Sequence, residues 1–400
     1  MSRLAELIKE LCPDGVEYRP LGAIAELQRG GGMPKKLFVD KGIPAIHYGH
    51  IFTKYGIQTK CAAAYLAPED ADKLTRVYPG DLVVANTSEN LEDVGKGVVW
   101  LGDVEGVTGG HATVVRSLAV DTVFLSYYLR TEDFALKKRK YAQGTKVIEL
   151  SAVNLSKIDI PVPPLEVQRE IVRVLDQFTT LEAELEAELE ARRTQYEHYR
   201  NNLLSYDSLA AHGPVEMVKL GEMLDMRAGT SISSKYIFEQ ADSDCIYPCY
   251  GANGLRGYVQ SMNHEHDASV IGRQGALCGN VTYACGPFFA TEHAVVVTPR
   301  VELSQRWLYH SLIVANLSQY ATKSAQPGLS VRRVAEVEIP VPSVSEQYRI
   351  ADLLDHFDAL VNDITSGLPA EIAARRAQYE HYRDRLLSFP EKRVSDKEAS

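Results

Sequence analysis

The chain has 400 residues, a net charge of −10, 45% hydrophobic and 8% aromatic side chains; at roughly 100–200 residues per domain this leaves room for two to four cores. No apolar run approaches the ~20 residues of a membrane-spanning helix, and Met1 to Gly15 carries neither the apolar stretch nor the cleavage site of an export signal. Six scattered cysteines (Cys12, Cys61, Cys245, Cys249, Cys278 and Cys285) read as a reduced set rather than a disulfide framework, so the expected location is cytoplasmic.

Residues 1–155 hold short β-branched and aromatic runs divided by glycine, among them Asp81–Ala85, Gly97–Trp100 and His111–Val115. These are strand signals in a mixed, turn-rich domain. In residues 156–206 the pattern changes to heptads. Ile171, Phe178, Leu185 and Tyr199 occupy one series and Leu175, Leu189, Tyr196 and Leu203 the other, which places an apolar stripe on one long helix. Residues 207–335 return to strand signals at Ala268–Ile271 and Ala294–Val297. Residues 336–390 are helical again, with Ile350, Leu354, Phe357, Val361 and Ile364, then Ile372, Tyr379, Tyr382 and Leu386 as the stripe, and Ser343 with Glu346 as a capping box. Gly367-Leu368-Pro369-Ala370 predicts a kink or short break in this second helix. Residues 391–400 read as a flexible tail.

The two helical regions say the same thing twice. Arg192 to Leu204 (RRTQYEHYRNNLL) returns as Arg375 to Leu387 (RRAQYEHYRDRLL), and Ile160 to Phe178 returns as Ile339 to Phe357. A period near half the chain is far too long for a solenoid, whose repeats run at roughly 20–50 residues. It means a duplicated half with pseudo-two-fold symmetry, able to set two similar surfaces on a two-fold object such as duplex DNA. The intervening blocks align only loosely: Leu21-Gly22 with Leu220-Gly221, Tyr48-Gly49 with Tyr250-Gly251, His111 with His293. The predicted fold class is therefore α+β, with two similar β-rich domains separated by two long helices that pair as an antiparallel coiled coil. The acidity sits in the repeats: residues 156–206 and 336–400 carry −4 and −5, whereas residues 1–155 and 207–335 carry 0 and −1. Acidic stretches repel phosphate, so the repeats should face a protein or solvent and the blocks nucleic acid.

These features resemble the specificity subunit of type I DNA restriction–modification systems over nearly the whole chain. The resemblance rests on the Ile-Pro-Val-Pro-x4-Gln-x2-Ile segments at Ile160 and Ile339, the Gln-Tyr-Glu-His-Tyr-Arg helix ends, and Gly367-Leu368-Pro369-Ala370-Glu371-Ile372. The tandem Ala183-Glu184-Leu185-Glu186 and Ala187-Glu188-Leu189-Glu190 is similar to four-residue repeats of some members. The resemblance implies a non-catalytic subunit that binds a bipartite double-stranded DNA target, one half-site per recognition domain. It also implies two adenine methyltransferase subunits on the helices and, through them, ATP-dependent restriction subunits, with S-adenosylmethionine, ATP and Mg on those partners and no cofactor or metal in this chain.

The residues agree with an absence of chemistry. There is no Asn-Pro-Pro-aromatic methylation motif and no phosphate-binding Gly-x-Lys-Ser/Thr loop. Cys245-x3-Cys249 with Cys278-x6-Cys285 has unusual spacing for zinc. DNA contacts then fall to the blocks, because phosphate is held by Lys and Arg and base edges by Arg, Lys, Asn and Gln. The first block offers Arg29, Lys35, Lys36, Lys96, Lys137, Lys138, Lys140 and Lys146, with Asn86 and Gln143 as base readers. The second offers Lys235, Tyr250, Asn253, Arg256, Arg273, Gln274, Lys323 and Gln326, in part on glycine-rich loops that let backbone approach phosphate. Lys137 to Lys140 equally suits a helix end, where cations offset the dipole. Two other classes remain open on sequence alone: a stand-alone DNA-binding regulator and a coiled-coil scaffold.

Overall fold

The computed structural model describes residues 3–322, 327–363 and 367–392. They divide into two compact units, Met1–Glu184 with Ala373–Ser400, and Leu185–Ile372. Each unit holds one β-rich block and a portion of each helical repeat.

In the first unit the central sheet runs in the order Ala25–Arg29, Ala112–Ser117, Leu82–Ala85, Gly97–Trp100, Gln58–Thr59. Leu82–Ala85 is buried at all four positions, as expected for a strand covered on both faces. The two-residue period sends Leu82 and Val84 into one cluster with Phe124 and Leu125, and Val83 and Ala85 into another with Ile46, Ile51 and Trp100. A second five-stranded sheet (Phe38–Val39, Tyr65–Leu66, Ile43–Ile46, Gly106–Thr108, Thr75–Val77) completes the block. The second unit repeats the centre with a four-stranded sheet, Leu224–Ala228, Ala294–Pro299, Ala268–Gly272, Val281–Ala284. The Ile-Pro-Val-Pro segments are strands in both units. Asp159–Val162 pairs antiparallel with Glu17–Pro20, and Glu338–Val341 with Glu216–Lys219.

Each repeat then enters its helix through a buried glutamine. Gln168 accepts a hydrogen bond from the Asp121 backbone N–H at 2.7 Å and donates to the Pro163 carbonyl at 2.6 Å. Gln347 does the same with the Ser304 N–H at 3.0 Å and the Pro342 carbonyl at 3.0 Å. Two turns on, a repeated aspartate grips the block. Asp176 accepts from the Tyr127 hydroxyl at 2.7 Å, and Asp355 accepts from Arg306 and His310. Ile171 and Leu175, and likewise Ile350 and Leu354, are buried in the same clusters as the block helices that carry these partners. The first turns of the predicted stripe are thus buried with the block core.

The first long helix spans Leu165–Leu203. The second repeat forms two helices, Val344–Asn362, capped by Ser343 accepting from the Glu346 N–H, and Leu368–Leu386. The interruption therefore lies just before Leu368, and Pro369 sits in the first turn of the new helix, where its missing N–H has no intrahelical partner to lose. Ile364 lies outside the described residues. Within the first unit the Phe178 ring stacks on Tyr382 at 5.9 Å and lies 6.3 Å from Tyr379, while Arg376 pairs with Glu182. Since 178 meets 382 and 182 meets 376, the helices run antiparallel there. The second unit makes the equivalent stack, Tyr199 on Phe357 at 6.1 Å, with Leu189 and Leu203 packed against the cluster that holds Tyr196 and Val361. Leu386 packs on the first unit's core, and Ile372 is buried. Leu185 is half-buried.

Candidate nucleic-acid interface

One end of each central sheet carries the polar groups. In the first unit the strand Leu82–Ala85 runs out into Asn86 and Thr87, and the Asn86 N–H donates to the His111 carbonyl at 2.8 Å. A hairpin folds over this end: Gln143 and Glu149 exchange backbone hydrogen bonds at 2.9 and 2.7 Å, and Leu150 N–H donates to the Asn86 carbonyl at 2.8 Å. Gly144 makes the turn possible, with φ of +107° and no room for a Cβ, which would meet the Val147 oxygen. Arg29 reaches the same place, donating to the Gly110 carbonyl at 3.2 Å and pairing with Glu149 at 3.0 Å. Thr87 Oγ1 lies 3.0 Å from His111 Nδ1, and the His111 ring is 4.9 Å from that of Tyr48. His47 and His50 stand 5.4 Å apart beside it. Burial first, then His50, Lys35 and His111, lowers the His47 imidazole to about 4, so it is neutral at physiological pH.

The second unit builds the same end from different residues. Arg273 N–H donates to the His293 carbonyl at 3.0 Å, and Leu329 N–H donates to the Arg273 carbonyl at 2.8 Å. The register Ala85↔Ala112 in one sheet and Gly272↔Ala294 in the other makes Asn86 and Arg273 equivalent positions, each opposite a histidine. The loop after Tyr250 lies alongside: a Cβ on Gly272 would meet the Ala252 oxygen at 2.0 Å, and one on Gly251 the Arg256 side chain at 2.4 Å. Asn253, Arg256 and Gln274 are exposed, and Tyr250 and Arg273 are half-buried. Buried side-chain atoms without a partner gather here in both units: His50 Nδ1 and both amide atoms of Asn86 in one, and Arg273 Nε, Thr291 Oγ1, Glu292 Oε2 and His293 Nδ1 in the other.

In the first unit the fold brings Arg29 to the Gln143–Glu149 hairpin, whose turn carries Lys146, and sets Lys35 near His47 and His50; in the second it lays the loop that carries Asn253 and Arg256 against Gly272, next to Arg273 and Gln274. Lys36, Lys140 and Lys235 are exposed, the last with its ammonium 4.6 Å from the Tyr236 ring centre. Lys323 and Gln326 lie outside the described residues. Three expectations are corrected, at Lys138, Lys137 and Asn86. Lys138 is buried and donates to the Glu92 and Val94 carbonyls at 2.9 and 2.7 Å, with burial and then Lys96 lowering its ammonium to about 8; it ties a loop to the block. Lys137 is committed to Asp133, Tyr128 and the Asp159 carbonyl and lies over the Tyr18 ring, so it fastens the helix Glu132–Lys138 to the repeat strand. Lys96 pairs with Asp93 at 2.7 Å. Asn86 is only 1% exposed, and as folded no base edge can reach its amide. Among the described residues no group of three or more His, Cys, Asp or Glu side chains is arranged to hold a metal ion.

Two like blocks, each mounted on a repeated helix, define a scaffold also found in solved proteins. A chain solved in work on complex assembly and conformational transition of the type I R-M system matches with a TM-score of 0.61 and 19% identity, over 94% of this chain and 98% of that one. The two share a fold. In sequence, the family described as "Type I restriction modification DNA specificity domain" matches residues 13–191 and 213–374. The chain belongs to this family. The type I restriction enzyme EcoprrI specificity subunit of Escherichia coli is 49% identical over 211 residues, 52% of each chain, so this chain spans about half the length of that curated relative. A type I restriction enzyme specificity subunit of Haemophilus influenzae is 30% identical over 396 residues, 94% of this chain and 96% of that one.

Proposed function

We propose that this chain is the non-catalytic DNA-specificity subunit of a type I restriction–modification complex. Its two blocks each read one half of a bipartite double-stranded target. Its acidic helices carry two adenine methyltransferase subunits and, through them, the ATP-dependent restriction subunits, which supply the sites for S-adenosylmethionine, ATP and Mg; the complex works in the cytoplasm.

One observation carries this reading. The helical repeats keep the same glutamine bonds, an aspartate acceptor at the same place and the same Phe–Tyr stack in both units, whereas the matched sheet ends differ: Asn86 against Arg273, Gly110 against Glu292. A constant mount with a varied reading face is what one kind of partner and two different half-sites require. Cells that express the chain with its methyltransferase subunits should carry adenine methylation at one split motif, and the chain alone should methylate nothing. Methyl transfer by the isolated chain, or methylation without a split motif, would refute the assignment.

A further inference from the structure

The second block fixes the backbone of Arg273 from both sides, while its Nε has no hydrogen-bond partner among the described residues. Its N–H is held by His293, its carbonyl by Leu329, and the next residue, Gln274, bridges to Gly328. The preceding residue must be glycine, since a Cβ on Gly272 would strike the Ala252 carbonyl. These contacts hold the backbone on both sides of the Arg273 side chain. The side chain is different: its Nε is buried with no acceptor among the described residues. A buried guanidinium nitrogen with no acceptor lacks the compensation that buried polar groups normally find, and such exceptions call for an explanation. Neighbouring groups share the condition: Glu292 Oε2, His293 Nδ1 and Thr291 Oγ1 are also unpartnered.

Resting on the DNA-specificity reading above, we propose that Arg273 is a base reader of the second half-site and that the base it selects is guanine. The planar fork of arginine matches the O6 and N7 acceptors of guanine, and no other base edge in the major groove offers two acceptors side by side. A pinned backbone gives the fork the geometric constraint that bidentate readout needs. Asn253, Arg256 and Gln274, exposed on the adjoining loops, stand where flanking phosphates and bases would lie. In the first unit the equivalent Asn86 is sealed, so the first half-site is read by other groups and its recognised bases need not match.

The test uses the complex of the full chain with its methyltransferase subunits, selecting bound duplexes from a library randomised over both half-sites at fixed salt. Arg273→Lys keeps the charge and removes the fork. It should lose roughly 5- to 150-fold discrimination for guanine at one position of one half-site, keep the other half-site intact, and keep the wild-type salt slope. Arg273→Gln should lose the same discrimination. Unchanged preferences at every position in both variants would overturn the proposal. So would a uniform loss of affinity with the salt slope reduced by about one, the mark of a phosphate contact. If the wild-type complex itself selects no sequence, it is the specificity reading that fails rather than the role of Arg273.

Discussion

Replacing Asp355 by asparagine should weaken the second unit far more than Asp176→Asn weakens the first, because the two mounts differ in charge. The Asp355 carboxylate accepts from Arg306 Nε at 2.9 and 2.8 Å, from Arg306 Nη2 at 2.6 Å and from His310 Nε2 at 2.8 Å. Burial alone would raise this carboxyl, but the bonds from Arg306 and His310 outweigh it and hold the group below its ordinary range. Asparagine keeps one acceptor and turns an NH2 group toward a guanidinium. Breaking a fully buried pair costs about 3–5 kcal/mol; the Arg306 and Asp355 side chains are 29% and 31% exposed, and solvent screening reduces the expectation to about 2–3 kcal/mol. At Asp176 the donor is the neutral Tyr127 hydroxyl, which an asparagine carbonyl also accepts, so the loss should stay near or below ~1 kcal/mol. At about 2–4 °C per kcal/mol for units of this size, Asp355→Asn should lower the melting of its unit by roughly 4–12 °C and Asp176→Asn by no more than about 4 °C. Calorimetry of the full chain measures the shifts, and hydrogen exchange assigns each to its unit. Equal shifts in the two variants would refute the charge argument.

Three further outcomes are expected. His47 is held neutral, so the unfolded chain takes up its proton first and the first unit loses stability as pH falls from about 6.5 to about 4; His47→Asn preserves an acceptor for the Gly49 N–H, now met by His47 Nδ1 at 3.1 Å, and should flatten that slope in pH-dependent exchange, whereas an unchanged slope would clear His47 of the effect. Lys35, Lys36 and Lys146 changed to alanine should reduce the salt slope of DNA binding by about one for each phosphate ligand removed, while Lys138→Ala should lower melting and leave the slope of the folded fraction alone; the reverse pattern would misplace the DNA face. A further Ala-Glu-Leu-Glu unit after Glu190 adds about 6 Å and roughly 1.1 turns of helix, so the gap between half-sites should grow by one or two base pairs at ~3.4 Å each with both half-sites unchanged; methylome sequencing showing an unaltered gap would exclude the helix as spacer.

The helices and the strand cores were legible because both follow from periodicity: heptads for Leu165–Leu203, and apolar runs such as Leu82–Ala85. The family was legible from the repeats. The reading face was legible only in part, and the misses share a cause. Lys137 and Lys138 look like phosphate ligands in sequence, but each is consumed by partners distant along the chain, the Asp159 carbonyl for one and the Glu92 and Val94 carbonyls for the other. Asn86 has the right chemistry for adenine, and only the hairpin Gln143–Glu149 folding over it shows that it is covered. No spacing announces that His47, Tyr48 and His50 stand beside His111; the fold brings that histidine to them. The mount was half visible, since Gln168, Gln347, Asp176 and Asp355 stand at matching places in the repeat, though their role needed the opposing block.

That mount explains how the blocks diverged while the helices did not. Gln168 and Gln347 each take a backbone N–H, which any residue except proline supplies, so the facing residue is Asp121 in one unit and Ser304 in the other without consequence. Asp176 and Asp355 are pure acceptors, and a tyrosine hydroxyl, a guanidinium and an imidazole all satisfy them. A socket made of acceptors asks only for a donor within reach and places almost no demand on side-chain identity. The block is then free to change its sheet end, and so its readout, without renegotiating its attachment. The constraint runs the other way for the helix. Replacing either glutamine strands a buried N–H and a buried carbonyl at once, about 1–3 kcal/mol for each unsatisfied group, which is reason enough for both copies to keep it.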